Sequence, residues 1–489
     1  MVNCNQRYTN QMPEINVREI DNYTYMIDKS HDSRMNVPGI IYSSPGMMKD
    51  IRNDQSLQQV VNVAMLPGIV KASMAMPDIH WGYGFPIGGV AAFDSEEGIV
   101  APGGVGYDIN CGVSLVRTSL IYEEIKPKIR ELTDLLFKKV PSGMGSTSTK
   151  ITEGDLETIL SSGVQWCLDR GMATKDDLRF TEENGNLKEN SPGNVSPEAK
   201  KRGLKQIGTL GAGNHFLEIQ RTDNIFDRET ANYFGIKETE QVTVMVHTGS
   251  RGLGHQVATD FIRKLNTLGE GVIAHPVDRQ LTSARIDSAI GMAYIGAMNS
   301  AANYGFVNRQ VIVNNIREAF HEVFPGSEVK LVYSLAHNMA KMERHRVNGD
   351  ERKLLVHRKG ATRAFPGSFF REESFFHKYG HPVLIPGDMG TASYLLVGKE
   401  GNDQKSFSSS CHGAGRKLSR TKSVEAFKSR EVVSKLESKG IYLRAQNVRV
   451  ISEEAPGSYK DIDDVIASVT GAGLTVPVAR LTPLGVVKG

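Results

Sequence analysis

Cysteine is scarce in this chain. There are four in 489 residues, Cys4, Cys111, Cys167 and Cys411, and no two form a CxxC pair. Such scatter excludes a disulfide framework and suits a reducing cytoplasm. Long apolar runs are missing, so no segment is expected to span a bilayer, and the opening MVNCNQRYTN has no basic-then-apolar leader. Charge of one sign is not in excess: 58 Lys and Arg against 55 Asp and Glu leave +3, which permits a polyanionic partner without demanding one. Ready-made phosphate motifs are absent as well, with no GxxxxGK[ST], strict GxGxxG, HExxH or KxDG. A nucleotide bound here would need a site assembled from scattered turns. No fixed-period repeat and no low-complexity block divides the chain.

What is present centres on GIVAPGGVGYDINCGV, residues 98–113. A short apolar strand meets a Pro-Gly-Gly break, and Asp108 and Cys111 follow three apart, a carboxylate and a thiol aimed at one point. Glycines 103, 104, 106 and 112 are expected to turn through positive φ and let the backbone approach another body. Upstream, TYMIDK reads as a strand and MMKDIRNDQSLQQVVNVAML as a helix. MPDIHWGYGFPIGG then sets Asp78 and His80 two apart on an extended segment. Residues 120–205 read as mostly helical, with Cys167 a core thiol, a polar stretch RFTEENGNLKENSPGNVSPEAKKRG on the surface, and KKRGLK able to touch phosphates, though such runs are usually solvated faces.

Further candidates sit at strand ends beside Gly or Asn. IGTLGAGNHFLEIQ carries Asn214, His215 and Glu218; QVTVMVHTGSRGLGH ends a strand at His247; VKLVYSLAHNMAK presents His337-Asn338. Between them, residues 283–323 read as one long helix rich in small residues. A lone histidine is more often a core or turn residue, so the recurrence carries the reading rather than any member. One thiolate with three imidazoles points to zinc on affinity grounds; an added carboxylate and a bridging Cys111 also admit a two-metal site of the phosphoryl-transfer kind. His412, between a Ser/Cys run and Gly-Ala-Gly, is either a turn histidine or a nucleophile able to form a covalent phosphoramidate. Candidates come from almost every third of the chain, which favours one large interleaved α+β domain over residues 1–489.

The motifs GGVGYDINCGV, GTLGAGNHFLE, VMVHTGSRGLGH, HNMAK, VHRKGATRA, PGDMGTAS, SSCHGAGR, EEAPGSYK and PLGVVKG resemble, in matching order, the RtcB family of GTP- and manganese-dependent RNA ligases. The resemblance implies an RtcB-like fold of central sheets surrounded by helices, and joining of RNA 3′-phosphate or 2′,3′-cyclic phosphate ends to 5′-hydroxyl ends. It implies two Mn²⁺ bridged by Cys111, with His215 and His247 completing one site and Asp108 and His337 the other. His412 would be the guanylated residue. Asn214, His215, Phe216, Leu217, Glu218, His337, Asn338, Pro386, Gly387, Asp388, Met389, Ser393, His412, Gly413, Ala414, Gly415, Tyr459 and Lys488 would surround the guanylate, and Asp78 would lie near the active site. Lys417, Arg416, Arg420 and His357-Arg358-Lys359 are candidates for gripping RNA phosphates. An archease-type activator is a candidate protein partner, and the sequence leaves open whether turnover needs one. Asp388 departs from the hydroxyl residue usual in the family, and bears on nucleotide preference. The rival readings are a metal-dependent phosphoesterase and a non-catalytic RNA-binding scaffold.

Overall fold

The structure is a computed structural model that describes residues 15–148, 151–267, 272–273 and 277–489. Cys4 lies outside these residues. Two sheets carry the α+β fold. The first runs in the order Val17–Asp21, Thr24–Ile27, Gly39–Tyr42, Ile69–His80, Ile87–Asp94, Asp350–Lys359, Asn338–Val347. The second runs Val329–Ala336, Gly112–Ile121, Gln241–Thr248, Phe216–Ile225, Thr475–Lys488, Ser393–Gly398, Pro382–Ile385, with Tyr442–Ala445 added parallel to Thr475–Lys488. The first sheet takes strands from distant parts of the described chain, so the expected interleaving is seen directly.

Local chemistry accounts for these elements. QVTVMVHT is rich in β-branched residues and buried along its whole length, as a strand covered on both faces should be. The helix read over residues 47–66 is broken: Pro45–Ile51, capped by the Ser44 hydroxyl, stops before Ser56–Ala64. Pro127 likewise breaks EEIKPKIRELTDLLFKKV, so the regular helix begins only at Ile129 and ends at Lys139. The small-residue helix runs over Ala289–Val323, and its buried Gly296, Ala301, Ala302 and Gly305 allow neighbours to pack close. Cys167 is buried in the core as expected.

Two expectations change. Of the four glycines singled out, Gly106 has a positive φ of 95°; Gly103 and Gly104 sit in a short 3-10 turn. Gly112 is required for a different reason, since a Cβ there would collide with the Leu335 carbonyl oxygen of the adjacent strand. The polar stretch after Phe180 is not simply a surface excursion. Glu182 is buried, and its carboxylate takes the Lys341 ammonium at 2.5 Å and the Ala336 backbone N–H at 2.8 Å.

Candidate active site

Strand register explains why residues far apart in sequence meet. Antiparallel pairing sets Gly112 opposite Thr248 and Ala336, Val113 opposite His247, and Phe216 opposite His247 and Lys488. Cys111, His215, His247, His337 and Lys488 therefore reach one edge of the second sheet. His337 stands at the crossing where the chain leaves that sheet and enters the first.

Cys111 Sγ lies 3.4 Å from His215 Nε2 and 3.2 Å from His247 Nε2. His247 Nε2 is 3.2 Å from His337 Nε2, and His215 Nε2 is 3.0 Å from Asp108 Oδ2. The donors form two triads sharing the sulfur, Cys111–His247–His337 and Asp108–Cys111–His215, with donor atoms within 4.8 Å of one another in each. The division expected from the resemblance, His215 with His247 and Asp108 with His337, draws on the same five residues around the same sulfur. Asp108 Oδ1 accepts the Arg251 backbone N–H at 3.2 Å, and its other oxygen faces His215.

The donor set suits metal ions. Burial, joined by the Asp108 charge, pushes the Cys111 thiol well up, and burial with neighbouring imidazoles pushes His247 and His337 well down. Unprotonated imidazoles are ready donors, and an ion captured by Cys111 would displace its proton. The Nδ1 atoms of His215 and His337 are buried without a hydrogen-bond partner among the described residues. His247 Nδ1 faces the Asn214 carbonyl oxygen at 3.2 Å, the outer contact that fixes a ligating imidazole.

His412 lies beside this cluster, its ring 4.8 Å from that of His337. It follows Ser409–Cys411, which pairs with Ala361–Arg363. Asp78, fully buried on Ile69–His80, accepts the His412 backbone N–H at 3.1 Å and the ring Nδ1–H at 2.6 Å through the same oxygen. A carboxylate only accepts, so Nδ1 holds the proton and Nε2 keeps its lone pair. Gly415 has φ 73°, and a Cβ there would collide with the Asp78 carbonyl oxygen, so this glycine lets the loop close on that strand.

A cavity of about 880 Å³ opens over both features. Of the expected guanylate residues, Asn214, Phe216, Asn338, the Pro386–Met389 turn, the His412–Gly415 loop, Tyr459 and Lys488 line it. Leu217 instead points into the core, as alternation from Phe216 requires. Glu218 and Ser393 stand behind the wall. Gln220 Nε2 donates to Glu218 at 2.9 Å and Ser393 Oγ at 3.1 Å, and burial raises Glu218 to about 8. Asp388 Oδ1 accepts the Gly390 N–H at 2.8 Å, and burial raises its carboxyl. Lys488 Nζ donates to the Gly213 carbonyl oxygen at 3.1 Å and lies 3.6 Å from Glu454, a buried carboxylate also bonded to Arg416 and the Tyr459 hydroxyl.

His357 and Arg358 are not exposed phosphate grips, whereas Lys359, though buried, lines the cavity. They lie inside the sheet: His357 Nε2 accepts the Ala101 N–H at 3.1 Å, Arg358 is spent on Glu343, and Lys359 donates to the Tyr83 and Phe85 carbonyl oxygens. The run HRK reads as basic, but strand pairing with Ile87–Asp94 buries it. Lys417 and Arg420 are exposed, and Arg416 is half-buried on the Tyr459 ring. The KKRGLK stretch is more than a solvated face, since Lys201, Arg202 and Lys205 line the cavity with Arg251. Arg251 and Glu454 fall within the family motifs, yet nothing in their local spacing marks them as cavity residues.

Fold and cavity define an α+β protein with a shared-thiol ligand cluster beside a carboxylate-held histidine. A family model described as tRNA-splicing ligase RtcB matches residues 59–489. The chain is 48% identical over 478 residues to the tRNA-splicing ligase RtcB of Thermococcus kodakarensis, covering 97% of this chain and 99% of that protein. It is 46% identical over 478 residues to the protein of the same name from Methanococcus maripaludis, covering 97% and 99%. The RNA-splicing ligase RtcB homolog 1 of Entamoeba histolytica is 46% identical over 457 residues, covering 91% and 86%. The chain belongs to the RtcB family, and is a ligase. Among the described residues, no helix is long and apolar enough to cross a membrane.

Proposed function

We propose that this ligase joins RNA 3′-phosphate or 2′,3′-cyclic phosphate ends to 5′-hydroxyl ends, in tRNA splicing or RNA repair, using GTP and two Mn²⁺. The observation that carries the reading is the pair His412–Asp78 beside the two ligand triads. Asp108, Cys111, His215, His247 and His337 would hold the manganese, which would neutralise phosphate charge and acidify an attacking hydroxyl.

The protein's own groups do the rest. His412 Nε2 attacks the α-phosphorus of GTP, forming an N–P bond as the bond to pyrophosphate breaks, while Asp78 keeps the proton on Nδ1. An RNA 3′-phosphate oxygen, freed by water where the end is cyclic, then takes the guanylate and releases His412. The 5′-hydroxyl attacks the activated 3′-phosphorus and GMP leaves. Lys488 and Tyr459 stand at the guanine end of the cavity in this reading, with Asp388 placed to accept from a base N–H. Buried thiols at Cys111, Cys167 and Cys411 suit a reducing cytoplasm.

Incubation with α-labelled GTP or ATP and Mn²⁺, then a denaturing gel and acid treatment, tests this. An acid-labile label from GTP, lost in His412→Ala, is expected. Label from ATP would reassign the nucleotide and point to Asp388. No label from either would favour a phosphoesterase. Repeating ligation with an archease-type activator asks whether turnover past the first round needs one.

A further inference from the structure

Arg309, on the helix Ala289–Val323, is not among the residues that line the cavity. It is fully buried, and among the described residues it is the largest side chain with essentially no exposure. Burying a cation is costly unless its donors are satisfied. Within the described residues, all of its hydrogen bonds go to uncharged acceptors. Nη1 donates to the Asn110 carbonyl oxygen at 2.8 Å and the Thr248 carbonyl oxygen at 2.9 Å; Nη2 donates to Asn110 Oδ1 at 2.8 Å; Nε donates to Ser334 Oγ at 3.2 Å.

Those acceptors are not arbitrary. Asn110 precedes Cys111, Thr248 follows His247, and Ser334 lies on the strand that delivers His337. Ser334 also accepts from the Ser114 hydroxyl at 2.8 Å, joining the strand that follows Cys111. Asn110 holds a left-handed φ of 53°, rare for a side-chain-bearing residue, and its Nδ2 donates to the Ala302 carbonyl oxygen of the same helix at 2.5 Å. Gly305 makes room for this turn, since a Cβ there would lie 3.1 Å from the Asn110 Cβ. One guanidinium thus holds the backbone next to two of the five candidate ligands, Cys111 and His247, and a hydroxyl on the strand that leads to a third, His337.

We propose that Arg309 is the positioning residue of the metal cluster, its planar fork setting the spacing of Cys111, His247 and His337 from behind. The inference rests on the reading of those residues as metal ligands. A fork is needed because a lysine ammonium presents a single point charge and cannot span the two carbonyls, the amide and the hydroxyl together.

The test measures uptake of Mn²⁺ alone, without nucleotide or RNA, by equilibrium dialysis, together with the thiolate-to-metal absorption of the Co²⁺-loaded protein. Variants are Arg309→Met, Arg309→Lys and Asn110→Gly, the last keeping the left-handed turn while deleting the amide. The control is Arg317→Met on the same helix, which removes a pair with buried Asp177 and none of the bonds to Asn110, Thr248 or Ser334. Both Arg309 variants should lose roughly 10–100-fold in Mn²⁺ affinity, the usual cost of an outer-shell change, and shift the Co²⁺ spectrum. Asn110→Gly should lose less, and Arg317→Met should lower thermal stability while leaving affinity unchanged. Wild-type affinity and spectrum in Arg309→Lys would overturn the fork, leaving charge alone. If Arg309→Met does not fold, Arg309→Lys and Asn110→Gly decide the matter. A wild-type protein that takes up neither ion would overturn the metal reading, and this inference with it.

Discussion

A single oxygen of Asp78 fixes both the main chain and the ring of His412. Replacing Asp78 with asparagine keeps the shape but offers an amide that can donate to Nδ1, favouring the tautomer whose Nε2 carries the proton. Nucleotide labelling of Asp78→Asn should fall by up to about 10⁴-fold, the loss seen when a triad aspartate becomes asparagine, with folding little changed. Full labelling of that variant would show that the ring needs no such partner. In its proposed role, the Cys111 thiol, pushed up by burial, would have to lose a proton to hold an ion. Mn²⁺ uptake should therefore acidify a weakly buffered solution, and no pH change would count against the thiolate as a ligand.

At the scale of elements, the paired strands Asn338–Val347 and Asp350–Lys359 carry a buried charge network that braces the site from outside. Glu343 accepts from Arg358 at 2.6 and 2.8 Å, from Arg363 at 2.6 Å, and meets His345 at 2.8 Å. Burial alone would raise this carboxyl, but the two guanidiniums outweigh it and hold it well below the usual range. A depressed value means its contribution is complete above the unfolded pKa of about 4.3 and fades as pH falls toward the folded one. Glu343→Gln should cost about 3–5 kcal/mol at neutral pH, because among the described residues buried Arg358 loses its one carboxylate partner, while Arg363 keeps Glu183 and Glu182. The penalty should shrink in acid once the pH is well below the unfolded pKa; thermal unfolding at about pH 7 and pH 3 checks both, and an equal loss at the two pH values would refute the linkage.

For the whole molecule, a net charge of +3 hides a concentrated asymmetry. Lys201, Arg202, Lys205, Arg251, Arg416 and Arg420 all border the same large cavity. Such a rim attracts a polyanion even when the molecule as a whole is nearly balanced. Binding of a single-stranded RNA should weaken as salt rises. Replacing Lys201, Arg202 and Lys205 by alanine should flatten the slope of log K against log salt by about 0.7 for each phosphate no longer neutralised. An unaltered slope would place the RNA elsewhere.

Much of this protein is legible in its sequence. Strand signals such as QVTVMVHT and VKLVYSLA lie where read, because alternating or continuous β-branched runs have one stable local form, and Asp108, Cys111, His215, His247 and His337 stand out by chemistry and by their place at strand ends. The motif order points to the family. Helix breaks at Arg52–Gln55 and Pro127 are visible as polar and proline interruptions but are outweighed by the surrounding periodicity. Only tertiary structure brings these five side chains to one place, since that follows from strand register. Only it buries His357, Arg358 and Lys359, draws KKRGLK to the cavity and sets Arg309 behind Cys111. Local sequence specifies an element and a side chain's chemistry; what that side chain faces is settled by long-range pairing, which no neighbouring residues encode.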